Sequence, residues 1–109
     1  MELASPKDKN IEKLLENLFG RFGKTNFELT NYWDGDLCAI GLRNSSDKEF
    51  LIYVSTWAIQ ENRYFVEIED SDSEVVLNGY TNGNRNELEF EEVCQLVAKY
   101  FRLQPIYEK

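Results

Sequence analysis

The sequence predicts an α+β domain: an antiparallel sheet of about five strands, with an N-terminal and a C-terminal helix packed on one sheet face. Three observations carry this. Apolar residues recur at helical spacing at both ends of the chain. Between them lie short runs rich in aromatic and β-branched residues, broken by turn residues. The connections are too short for crossover helices, so the strands run as an antiparallel meander. At 109 residues, with 42% hydrophobic and 14% aromatic residues, the chain is one domain spanning residues 1–109 with material for a real core.

Ser5-Pro6-Lys7-Asp8 reads as a helix start, with Ser as cap, Pro at the first helical position and Asp three residues after Ser. Ile11, Leu14, Leu15, Leu18, Phe19 and Phe22 then share one stripe, and Gly20 and Gly23 are candidate stops. The first helix is placed at about 6–21. Phe27 to Trp33 alternates like a strand, and Asp34-Gly35-Asp36 signals a hairpin turn. Leu37 to Arg43 is apolar enough for a central strand, Asn44 to Asp47 is a loop, and Phe50 to Ser55 is the clearest strand. Trp57 to Asn62 connects. Tyr64, Val66 and Ile68 then form an apolar strand face, while Phe65, Glu67 and Glu69 form the opposite one. Asp70 to Ser73 turns, Val75 to Leu77 is a strand, and Tyr80 to Asn84 ends it. The sheet thus spans residues 26–80. Phe90, Val93, Cys94, Leu96, Val97, Tyr100 and Phe101 form the stripe of a closing helix at about 89–102. Its acids lie at the N-terminus and its bases at the C-terminus, matching the helix dipole. Both amphipathic helices need apolar cover, which places them on one sheet face and leaves the other partly open.

Charge is distributed unevenly. Residues 61–92 hold ten acids against Arg63 and Arg85, a net −8, and the remaining ten acids and ten bases cancel. A local negative field of this kind speeds association with a basic partner. It excludes a phosphate-tracking surface, which needs clustered bases. Bases cluster only at Lys7, Lys9 and Lys13, interleaved with Asp8 and Glu12, as on a solvated helix face. No apolar run approaches the roughly 20 residues of a membrane span. The first residues lack a basic stretch followed by an apolar one, so the expected location is cytoplasmic. Cys38 and Cys94 are read as reduced, buried thiols in that compartment.

Catalytic machinery is not evident. There is no histidine, no phosphate-binding loop and no metal-ligand spacing, so neither an enzyme nor a cofactor is expected. Asp34/Asp36 and Asp70/Asp72 are carboxylate pairs, but both fall in turns, where Asp is favoured for backbone reasons. Asp70 to Glu74 lacks the spacing of an EF-hand loop. Trp33, Tyr53, Trp57, Tyr64, Phe65 and Tyr80 are aromatic candidates for core or interface. Phe65 beside Glu67 and Glu69 has the composition of an apolar anchor with a polar rim.

Tyr32-Trp33-Asp34-Gly35-Asp36-Leu37, Phe50-Leu51-Ile52-Tyr53-Val54-Ser55, and Glu89 through Phe101 before Pro105 together carry a resemblance. In this order of elements the chain resembles small immunity proteins of bacterial polymorphic toxin and contact-dependent growth inhibition systems. The resemblance covers most of the chain and implies a cytoplasmic inhibitor of one cognate toxin domain. Each such pair has its own interface, so no family residue is carried over. The residues expected to contact a basic toxin domain, a nuclease in the simplest case, come from the charge pattern: Phe65, Glu67, Glu69, Asp70, Asp72 and Glu74. The free chain is expected to be a monomer. The alternative is an acidic secretion chaperone, which would be a homodimer holding an effector segment on an apolar patch.

Overall fold

The computed structural model describes residues 8–30 and 37–106. The helix start at Ser5-Pro6, the Asp34-Gly35-Asp36 turn and Trp33 lie outside the described residues.

Helix α1 runs Lys9–Phe22. Asp8 is its cap: the carboxylate accepts the Asn10 N–H at 3.1 Å. Gly23, at φ 94°, ends the helix, and its N–H donates to the Phe19 carbonyl. A left-handed φ costs glycine little, which explains why Gly23 rather than Gly20 is the stop. A 3-10 turn, Lys24–Asn26, leads into the strands.

The strands are β1 (Phe27–Thr30), β2 (Ala39–Asn44), β3 (Phe50–Ser55), β4 (Phe65–Asp70) and β5 (Val75–Leu77). They form one antiparallel sheet in chain order. Two further short strands, β6 (Tyr80–Thr81) and β7 (Asn84–Arg85), pair only with each other. The chain closes with α2, Phe90–Phe101.

One sheet face carries Phe27, Ile40, Leu42, Ile52, Val54, Val66 and Ile68, all buried in a single core with the apolar stripes of both helices. Register aligns these residues across the sheet: Leu42 opposes Ile52, and Ile52 opposes Ile68. This is the architecture expected from the sequence. Its physical basis is that a strand with a period of two and a helix with a period of 3.6 each present one apolar side, and joining those sides removes both from water.

Asn44 departs from its sequence reading. It ends β2 instead of opening a loop, and its side chain is buried. Its amide donates to the Phe101 carbonyl at 2.7 Å, and its oxygen accepts the Ser46 N–H at 2.8 Å. The last carbonyls of a helix need partners, so Asn44 fastens the end of α2 to the sheet. Replacing Asn44 by Ala is expected to cost about 1–3 kcal/mol, because a buried carbonyl loses its donor. Urea unfolding checks this; a loss below about 0.5 kcal/mol would show that another donor takes over.

Cys94 is a buried thiol within the core, and Cys38 is half-buried ahead of β2. Burial pushes the Cys94 thiol up to about 11, which suppresses the reactive thiolate near neutral pH. No helix among the described residues is long and apolar enough to cross a membrane.

Candidate functional site

Alternation places Tyr53 and Ser55 of β3, and Phe65, Glu67 and Glu69 of β4, on the sheet face away from the helices. Tyr53 opposes Glu67, Ser55 opposes Phe65, and Leu51 opposes Glu69. The helices do not cover this face. Part of it is covered by the β6–β7 hairpin, which the sequence reading did not separate from the end of the preceding strand. Asn82 and Gly83 form its turn, both at positive φ (52° and 80°). Asn-Gly is a strong short hairpin signal, and it was the available clue.

The hairpin sits directly on Phe65. Tyr80 and Phe65 rings lie 5.2 Å apart between centroids, and Tyr53 meets Phe65 edge-on at 6.1 Å. The Arg85 guanidinium stands 4.7 Å over the Phe65 ring and donates to the Trp57 carbonyl at 2.8 Å. Gly79 permits this approach. A Cβ there would collide with the Phe65 ring and lie 2.7 Å from the Glu67 Cγ. The Gly79 N–H instead donates to the Glu67 carboxylate at 3.1 Å. Asn86 adds a second fastening, donating to the Val66 carbonyl and accepting the Val66 N–H.

Phe65 therefore faces the side that alternation predicts, but it is only 4% exposed. Its ring is covered by the chain's own hairpin and is not offered to a partner as an apolar anchor. Among the described residues the exposed aromatic side chains are Tyr80, at 50% exposure, and Trp57, at 64%. Tyr53 is half-buried beside them. Tyr64, in contrast, is in the helix-side core, and burial raises its phenol above the ordinary range.

The acidic segment divides into two groups. At the start of α2, Glu89 and Glu92 form a reciprocal capping box. Glu89 also pairs with Arg63 at 3.4 Å, and Glu91 accepts two hydrogen bonds from Arg21. Those hydrogen bonds hold the Glu91 carboxyl below the usual carboxylate range. A groove of about 430 Å³ beside them includes Lys13 and Arg63 as well as Glu89 and Glu91, so its charges balance.

The second group is Glu67, Glu69, Asp70, Asp72 and Glu74, on β4 and the β4–β5 turn. No ion pair joins any of these five to a base among the described residues. Asp70 has a local duty: its Oδ1 accepts the N–H groups of Asp72 and Glu74 at 2.9 and 3.0 Å, which shapes the turn. Among the described residues no group of three or more His, Cys, Asp or Glu is placed to hold a metal ion. Two of these carboxylates, Glu67 and Glu69, line a cleft of about 250 Å³ together with Tyr53, Phe65 and Tyr80.

Comparison of the chain with protein-family models, curated proteins and solved structures gives no match.

Proposed function

We propose that this chain is an immunity-type inhibitor that binds and neutralises a cognate basic toxin domain. The supporting observation is the division of its carboxylates. Those at the start of α2 are used in capping and ion pairs. The five on β4 and the following turn have no basic partner among the described residues, and two of them, Glu67 and Glu69, share a cleft with exposed Tyr80. Like charges held together repel one another, and a basic partner relieves that cost. A nuclease toxin fits, because its substrate channel must be basic to hold phosphates. The chain acts by occupying a surface, not by catalysis, as a monomer in the cytoplasm where an incoming toxin is met.

The test begins with capture of a partner on the full chain and its identification by mass spectrometry. The purified partner is then assayed for toxicity with and without co-expression of this chain. A basic folded domain, bound one to one and silenced on binding, is expected. The five-site variant Glu67→Gln, Glu69→Gln, Asp70→Asn, Asp72→Asn, Glu74→Gln keeps the acceptor oxygens that the turn uses. Its association rate should fall by about tenfold or more at low salt and lose most of its salt dependence. Unchanged association by a folded variant would reduce the acidic group to a solvated surface.

One observation favours the chaperone reading. Strand β5 is a sheet edge, and its Val75 and Val76 are exposed. Such an edge can accept an extended segment as an added strand. A stable homodimer that binds an unfolded effector segment would select that reading over the first.

A further inference from the structure

We infer that the cleft between Tyr53, Phe65, Glu67, Glu69 and Tyr80 is a receptor for one arginine side chain of the protein partner. The inference rests on the partner-binding reading for the source of the side chain, and on the cleft alone for its chemistry.

Size restricts the occupant first. The cleft measures about 250 Å³, below the roughly 300–1,000 Å³ of sites for drug-sized ligands. It suits a single side chain. Its walls then choose the charge. Tyr53 and Tyr80 give it accessible aromatic surface beside the buried Phe65 ring, and aromatic faces attract cations through their negative quadrupole. Glu67 and Glu69 are two residues apart on one strand, so both carboxylates project to this side. Glu67 spends one oxygen on the Gly79 N–H, leaving the other without a hydrogen bond among the described residues. Glu69 has no ion pair among the described residues.

Planarity then selects guanidinium over ammonium. Arginine stacks on rings, is weakly hydrated and presents a fork of donors to carboxylates, whereas the lysine ammonium is a compact and strongly hydrated charge. The molecule contains its own precedent: the Arg85 guanidinium already stands 4.7 Å over the Phe65 ring. Arg85 is held there by the Trp57 carbonyl and does not line the cleft. The lining combines the buried Phe65 ring with Tyr80 of a hairpin fastened to β4 through Gly79 and Asn86, so its walls are formed before the partner arrives and less ordering is left to be done on binding.

The experiment is a titration of the full, isotope-labelled chain with N-acetyl-arginine amide, followed by amide and aromatic NMR. The neutral isostere N-acetyl-citrulline amide and N-acetyl-lysine amide run in parallel. Saturable shifts at the Gly79 and Tyr80 amides and the Tyr53 ring are expected with the arginine derivative. The lysine derivative should bind at least about threefold more weakly, and the citrulline derivative should give no saturable shift. Glu67→Gln/Glu69→Gln should lower affinity by about tenfold. Tyr80→Leu, at a half-exposed position, should weaken binding several-fold, with its own amide shifts confined to the hairpin and the β3–β4 residues that its ring touches. Absence of saturation, an equal response to citrulline or to lysine, or indifference to the carboxylate variant would each overturn the assignment. These results are separable from the partner reading. A chain that fails to bind the arginine derivative can still capture a toxin, and a cleft that binds it in a chain with no toxin partner would sink only the proposed function.

Discussion

Ile52→Ala should destabilise the protein by about 2–5 kcal/mol. Ile52 lies in the central strand β3 and has no exposed surface. Leu42 opposes it on one side and Ile68 on the other, and both are equally buried. Truncation removes three carbons from the middle of that row. The neighbouring strands are held by their own hydrogen-bond ladders, so they cannot close the gap, and the cavity cost adds to the lost transfer free energy. Domains of this size are stable by only about 5–15 kcal/mol. The melting temperature should therefore fall by roughly 10 °C or more. Val75→Ala is the control. It removes apolar carbon from a strand too, but Val75 is 54% exposed on the edge strand. It should change stability by no more than about 0.5 kcal/mol. Urea unfolding of both variants decides the matter. A loss below about 1 kcal/mol for Ile52→Ala would mean that the core relaxes far more than its packing suggests.

Gly79→Ala should cost about 1–3 kcal/mol and lift the β6–β7 hairpin from the sheet. The reason is contact, because the added methyl would occupy the space of the Phe65 ring and approach the Glu67 Cγ. Phe65 is packed under the hairpin against Tyr53, Tyr80 and Arg85, so the ring cannot shift without disturbing those contacts. Displacing the hairpin also breaks the Gly79–Glu67 hydrogen bond and shifts Arg85, which is bound to the Trp57 carbonyl. Trp57 fluorescence should therefore report the change together with the unfolding midpoint. The same substitution at Gly20 has no neighbour within 4 Å and lies in α1. There it should stabilise by about 0.5–1 kcal/mol. Combining Gly79→Ala with Phe65→Leu should recover part of the loss, as expected for residues in contact. Additive losses in the double variant would show that the ring is not what Gly79 accommodates.

The expected and observed elements differ most where neighbours in space, not in sequence, set the outcome. Asn44 is a polar residue next to two serines, and on local preference it belongs in a loop. It is kept in β2 by the Phe101 carbonyl, 57 residues away. Alternation assigns Phe65 to the correct face, yet its exposure depends on a hairpin 15 to 20 residues later. The ten acids of residues 61–92 form one run in the sequence. In space Glu89 and Glu91 are paired by Arg63 and Arg21, whereas the five on β4 and the following turn have no described basic partner.

The sequence by itself determined the order of the two helices and the five strands of the main sheet, the single core and the face on which both helices sit. These follow from apolar periodicity, which is a local property: each segment must bury its own stripe. Only the tertiary structure decided which carboxylates are neutralised, which aromatic rings reach solvent and where the arginine-sized cleft lies. Those depend on pair distances between residues far apart in the chain, such as Arg21 and Glu91 or Phe65 and Tyr80. Charge and aromaticity can be read residue by residue, but attraction and burial exist only between residues that the fold has brought together.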